Sequence, residues 1–311
     1  MIVLLVLLVL VLLLLAICYI AFFLVFVRLP VEPSPTKSRH LAPYAEEITA
    51  GGAWFRAQNP ELVSIRSRDG LKLRGCFLPA KDARGTLLLV HGYRSSLWCD
   101  FGVVYEFFHS LGWNILAIHQ RTHGESDGSY ITFGIKERFD VCDWAIYLSD
   151  RFGPEHNIVM DGVSMGSSSV LMSLGTDLPG NVRGFIADCG FTSPYDQFVH
   201  MMKKRVHLPP QPFMAIIEMY TKLFAGFGFK DYSTVTALQQ ATIPVLFVHG
   251  ENDNFVPTRF SIENYAACAS EKRLVTVPGA GHGTSYLVEK ERCQQTLREF
   301  LTQCEKQASA N

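Results

Sequence analysis

Three residues in this chain have the types and the order needed for acyl transfer. Ser164 sits in Gly162-Val163-Ser164-Met165-Gly166, a G-x-S-x-G pattern placed after the apolar run HNIVM and before SMGSSSVLMSLG. A serine hydroxyl becomes a nucleophile only when a base takes its proton and an acid orients that base. In the chain order expected of such an elbow the acid follows the serine and the histidine comes last. Asp253 lies in HGENDNFVP after the run VLFV, and His282 in GAGHGTS after LVTV. His282 is the only histidine beyond Asp253. Glu251 and Asp188 are the competing acids. The bland alternative for the serine is a glycine-rich turn with a capping hydroxyl, a role that Ser167 to Ser169 also fit.

The glycines at 162 and 166 permit a turn tight enough to project the serine oxygen from strained backbone. A developing oxyanion needs two donors. The Met165 N–H at the helix start is one; the Tyr93 N–H, in the His91-Gly92-Tyr93 loop, is the expected second. His91 itself is expected to be a structural hydrogen-bonder. A further dense segment, HQRTHGESDGSYITFG, carries Arg121, His123 and Ser126. His119 and His123 have an i, i+4 spacing that suits a metal, but the segment is turn-like and no third ligand is near. Turn packing is expected, and no metal.

The surrounding pattern must bring these loops together. LVSIRSRDGLKLRGCFLPA forms two alternating strands around the turn signal Asp69-Gly70. TLLLV, WNILAIH, HNIVM, VRGFIADC, IPVLFVHG and KRLVTVPG are further strand-like runs, separated by helical stretches such as 101–112 and 135–153; 291–306 closes the chain. Strands alternating with helices predict a mostly parallel sheet covered on both faces, with ligands beyond the carboxyl ends of its strands. Residues 192–240 break the rhythm. They are apolar and helical without a strand, and are expected to be a cap over those strand ends.

Together HGYRSS, RTHGES, GVSMG, HGENDNFVP and GAGH resemble the α/β-hydrolase superfamily over about residues 60–305. RTHGESDGSYITFG followed by ERFD is similar to membrane-anchored serine hydrolases of Gram-positive bacteria, and more distantly to the Bem46-like and S9-peptidase-like branches. The resemblance implies the eight-stranded fold, a covalent acyl-enzyme and no cofactor. It leaves open esters, thioesters, lipids and peptides. The short cap has no recognisable propeller, which argues against gating of the prolyl-oligopeptidase type.

Residues 2–27 carry no charge, and a helix of that length is about 39 Å, enough to cross a hydrocarbon core of ~30 Å. A basic n-region, a short h-region and a small-residue cleavage site are all missing, so an uncleaved anchor over 1–28 is expected, then a Pro/Ser-rich extended linker over 29–43 and a hydrolase domain over 44–311. Arg28, Lys37 and Arg39 follow the apolar segment, which favours a catalytic body on the cytoplasmic face. Eight dispersed cysteines with no CxxC read as small buried residues in a reducing setting rather than as a zinc site or disulfide scaffold. A formal charge of −1 gives no electrostatic case for nucleic acid.

The expected function is therefore cleavage of carboxylic ester-type bonds in a small-molecule or lipid-like substrate. A small-peptide hydrolase or acyltransferase on the same three residues is the enzymatic alternative. A membrane-attached binding module with a silent fold is the non-enzymatic one. Apolar cap residues such as Phe198, Met201, Met202, Phe213, Met214, Ile217 and Phe224 either pack the cap or line an acyl pocket.

Overall fold

The structure, a computed structural model, describes residues 1–30, 32–38 and 40–308. Arg39, one of the three flanking cations, lies outside them. The chain opens with α1 (Ile2–Phe26), followed by 3-10 turns at Pro35–Lys37 and Ala42–Tyr44 and by α2 (Ala45–Ala57). A hairpin of β1 (Glu61–Arg66) and β2 (Lys72–Leu78) comes next, then β3 (Thr86–Val90), α3 (Leu97–Asp100), α4 (Tyr105–Ser110) and β4 (Asn114–His119). The central crossovers are α5 (Glu137–Phe152), β5 (Ile158–Val163), α6 (Met165–Ser173) and β6 (Val182–Asp188). After β6 run α7 (Pro194–Met201), α8 (Phe213–Tyr220) and α9 (Thr234–Leu238), with a π-helical turn after each of the first two. The chain closes with β7 (Val245–Gly250), α10 (Arg259–Ala267), β8 (Lys272–Val277), α11 (Ser285–Val288) and α12 (Lys290–Ala308).

The eight strands form one sheet in the order β1-β2-β4-β3-β5-β6-β7-β8. The β1–β2 and β2–β4 pairs are antiparallel and all others are parallel. Successive side chains point to opposite faces, and both faces are covered, so the central strands are mostly apolar rather than alternating. Leu87 and Leu89 of β3 face one core with Phe55, Leu297 and Phe300. Leu88 and Val90 face the other with Trp144, Leu148 and Val170. Helices therefore cover both faces, as the alternating pattern predicts, and residues 192–240 contain helices and no strand among the described residues.

A third apolar cluster lies off the sheet and joins α1 to the segment after β6. Phe22 and Phe26 pack there with Phe133, Phe191, Met214, Phe227 and Phe229. α1 is long and apolar enough to cross a membrane, with a mean hydropathy of 3.5 over its best window. It is nevertheless not a free tether. The last four carbonyls around a helix terminus have no partner within the helix, and here the body supplies them. Arg94 donates to the carbonyls of Leu24 and Val27, Tyr93 Oη donates to that of Val25 at 2.9 Å, and the Ile131 N–H donates to that of Phe26 at 2.8 Å. Arg28 reaches back to the carbonyls of Ser126 and Gly124 at 2.6 and 2.7 Å. The stretch that follows departs from a plain extended linker. Its prolines nucleate two short turns, and it lies across the carboxyl edge of the sheet.

Candidate active site

The strands that carry the motif loops lie side by side: β3 is beside β5, β6 follows, then β7 and β8. Ser164 is the first residue after β5 and has φ 57 and ψ −115, a region L-residues avoid. Its N–H donates to the Asp188 carbonyl at 2.8 Å, which pins the turn to the end of β6. The flanking glycines are steric requirements. A Cβ on Gly162 would sit 2.4 Å from the Gly166 carbonyl carbon, and one on Gly166 would sit 1.9 Å from the Val90 carbonyl oxygen. The strained turn and the close packing of α6 on β3 thus need both.

Ser164, His282 and Asp253 come together. Ser164 Oγ lies 2.9 Å from His282 Nε2, and His282 Nδ1 lies 2.6 Å from Asp253 Oδ2. The carboxylate fixes the tautomer: Nδ1–H donates to Asp253, which leaves Nε2 free to accept the serine proton. Asp253 is held on every side. Its Oδ1 accepts the N–H groups of Phe255 and Val256 at 2.8 and 2.9 Å, and its Oδ2 also accepts from His249 Nε2 at 3.2 Å. Burial works to raise its pKa, but the charge of His282 and the hydrogen bonds from His249 and His282 outweigh it and hold the carboxyl well below the usual range. Burial works to lower His282, and the Asp253 charge and hydrogen bond overcome it, so the imidazole lies above its ordinary value.

The competing acids are placed elsewhere. Glu251 accepts a bond from Thr276 Oγ1 at 2.8 Å on the exposed side. Asp188 is buried at the end of β6 with no partner for Oδ1, and burial pushes its carboxyl up to about 7 against the pull of His249 and His282. It is a poor anion and makes no hydrogen bond to His282 among the described residues.

Met165 is the first residue of α6, so its N–H has no intrahelical acceptor, and Tyr93 sits on the loop after β3. Among the described residues no protein acceptor takes either N–H. Burial pushes the Tyr93 phenol up to about 12, so its side chain is a packing group rather than an acid. His91 is buried and bonds through Nδ1 to the Gly92 carbonyl and through Nε2 to the Gln120 N–H.

Two further groups support the site: Asp100, and His249, the first residue of the HGENDNFVP motif. Asp100 accepts the Gly92 N–H at 2.6 Å and the Ser95 hydroxyl, and so braces the Tyr93 loop. His249 accepts from Ser261 Oγ at 2.6 Å on one side and donates to Asp253 and the Val256 carbonyl on the other. Asp100 follows its partners and His249 precedes its own by short stretches of chain, but a lone buried Asp or His in sequence gives no sign of which group it will meet.

The HQRTHGES segment packs as turn structure. Arg121 makes a bidentate pair with buried Asp140 at 2.6 and 2.7 Å and reaches Asp69 at 3.0 Å, which ties this loop to α5 and the β1–β2 turn. His123 Nε2 accepts the Arg94 N–H at 3.0 Å, and Ser126 Oγ donates to the His119 carbonyl at 2.6 Å. Cys189, Asp253 and His282 lie close enough to hold a cation. Their chemistry does not fit one: burial holds the Cys189 thiol well above its usual pKa, and the imidazole is committed to the carboxylate and the serine.

Ser164 stands between two cavities. One, about 290 Å³, is lined by Glu32, Ser34, Lys37, His40 and the Asp100 carboxylate as well as His282. The other, about 380 Å³, is walled almost wholly by apolar side chains of α1, α7 and α8, with Phe133, Phe229 and Phe255.

A family model described as TAP-like protein matches residues 229–311, the stretch that holds Asp253 and His282. The esterase PF2001 of Pyrococcus furiosus superposes with a TM-score of 0.65 at 25% identity, covering 80% of this chain and 93% of that one. Sheet order, elbow and these likenesses together support an α/β-hydrolase of the Bem46 type. This hydrolase is also similar to the uncharacterized protein YqkD of Bacillus subtilis, at 26% identity over 79% of this chain and 81% of the relative. Protein bem46 of Schizosaccharomyces pombe is 23% identical over 91% of this chain and 88% of its own length.

Proposed function

We propose that this α/β hydrolase is a serine esterase that cleaves carboxylic esters through an acyl-enzyme. The observation that carries the reading is the continuous chain of contacts from Ser164 Oγ through His282 to Asp253, at 2.9 and 2.6 Å. His282 Nε2 takes the serine proton as Oγ attacks the carbonyl carbon. The carbonyl π electrons move onto oxygen, which is bound by the Tyr93 and Met165 N–H groups; one such donor is worth roughly 3 kcal/mol of transition-state stabilisation. Collapse breaks the bond to the leaving alkoxide, which takes the proton back from His282. Water then repeats the sequence on the acyl-enzyme and frees Ser164. Asp253 stays ionised and stabilises the imidazolium that forms in each half.

The two cavities suggest which end of the ester goes where. The apolar cavity suits the acyl chain, and the polar cavity lined by Glu32, Ser34, Lys37 and His40 suits the alcohol. The esterase PF2001 supports ester rather than amide cleavage by likeness. The length and apolarity of α1 support a single-pass anchor, and the positive charge following it favours a cytoplasmic body.

The test is a substrate comparison with the full chain. p-Nitrophenyl esters of short to medium acyl length are expected to be cleaved faster than aminoacyl p-nitroanilides, with Ser164→Ala inactive on both. Faster anilide cleavage would favour the peptidase reading. No turnover of either by the wild type would favour a binding module.

A further inference from the structure

The apolar cavity beside Ser164 is built partly from the helix that would otherwise be only an anchor. Ile17, Cys18, Ala21 and Val25 of α1 line it, a stripe at i, i+1, i+4 and i+8 on one helix face. The opposite wall comes from α7, α8 and the π-turn between them. The cavity has a direction. Tyr93 and Ser164 lie at the Val25 end, where Tyr93 Oη bonds the Val25 carbonyl at 2.9 Å. The lining residues that are more than a third exposed are Ile17 (58%), Val206 (52%) and Leu208 (40%), so the mouth lies toward the N-terminal part of α1. From Val25 to Ile17 the helix advances about 12 Å.

That direction matches a membrane lipid. Residues 2–13 of α1 are all exposed and apolar, which suits hydrocarbon, and the C-terminal end, capped by Arg94 and followed by Arg28, suits the polar boundary. An acyl ester in a bilayer keeps its carbonyl at that boundary and its tail toward the hydrocarbon. The surface beside α1 adds a further mark of a bilayer contact. Leu223 and Phe224 are 69% and 44% exposed, with Phe224 against Tyr19 and Phe22 of α1.

Resting on the esterase reading, we propose that α1 is one wall of the acyl site and that the substrate is a long-chain acyl ester drawn from the bilayer, its tail lying between α1 and the α7–α8 segment. The anchor is thus a specificity element.

The experiment uses the full chain in phosphatidylcholine/phosphatidylglycerol nanodiscs. Two readouts are taken: kcat/KM for p-nitrophenyl acetate, octanoate and dodecanoate, and oleate release from monooleoylglycerol placed in the disc. In the wild type kcat/KM is expected to rise with acyl length, by up to about fourfold per buried methylene, and oleate is released. Ala21→Trp, which fills the cavity from α1, lowers the dodecanoate-to-acetate ratio at least tenfold. Ile17→Ala, which widens the mouth, raises it. Ile20→Trp, on the exposed side of the same helix, keeps the wild-type ratio.

A ratio unchanged in Ala21→Trp and Ile17→Ala, or acetate preferred to dodecanoate by the wild type, overturns the assignment of the wall. If Ala21→Trp does not fold, Ile17→Ala decides. Cleavage of the soluble esters with no release of oleate overturns entry from the bilayer. Absence of cleavage of every ester, acetate included, is instead the failure of the esterase reading.

Discussion

In the proposed mechanism His282 must be neutral to accept the serine proton, yet Asp253 favours its charged form. Burial opposes that charge, and the carboxylate prevails, so the folded pKa is raised. The consequence for rate has a definite sign. Below that pKa the imidazole is protonated and idle; above it the base is available. kcat/KM is expected to rise with pH along a limb centred above about 6.5, the ordinary histidine value. Asp253→Asn removes the main raising interaction and the tautomer lock together. It should shift the limb to lower pH and reduce kcat about 10⁴-fold. A pH–rate profile of the two proteins checks this, and a limb that stays in place in Asp253→Asn would show that Asp253 does not set the base. Ser164, Asp253 and His282 were readable from their motifs and chain order. His249 and Asp100 were not, because their roles depend on contacts with Asp253 and the Gly92 loop that no local pattern announces.

At the scale of elements, the strand–elbow–helix unit stands on contacts between neighbours rather than on the serine alone. Gly166 lets α6 approach the end of β3, where an added Cβ would fall 1.9 Å from the Val90 carbonyl oxygen, a backbone atom with nowhere to go. Gly166→Ala should therefore cost about 1–3 kcal/mol of stability or more, with loss of the proposed esterase activity, since α6 also carries the Met165 N–H. Thermal denaturation beside ester kinetics measures both, and an unaltered Tm would mean that the elbow is looser than drawn. The strands themselves were legible because each apolar run is bounded by turn residues. The segment after β6 was legible as helical without a strand, but its π-turns at Met202–Val206 and Thr221–Ala225 were not. Each is a single turn at a helix end, too short to show a period of its own.

At the scale of the whole molecule, the informative departure concerns α1. A helix that is apolar all round shows its length in sequence but hides which face packs, because no polar stripe marks the other side. Its docking is written in residues far along the chain: Arg94, Tyr93, Ile131 and Tyr220, whose hydroxyl donates to the Leu15 carbonyl at 3.2 Å. The side of the membrane calls for a reporter outside the native thiols, since all eight cysteines are buried and unpaired. Glu155 is exposed in the loop before β5, on the edge opposite the site. With a cytoplasmic body, Glu155→Cys should resist an impermeant maleimide in intact cells and react after lysis. Labelling in intact cells would place the body on the other face.

The central claim is that Ser164 Oγ is activated by His282 to attack an electrophilic centre. Its most direct test is a fluorophosphonate reaction on the full chain, followed by peptide mapping of the adduct. A single adduct on Ser164, absent from Ser164→Ala and strongly slowed in His282→Ala, is the result the geometry predicts. Equal labelling of the wild type and Ser164→Ala, or an adduct mapped to another residue, would contradict it.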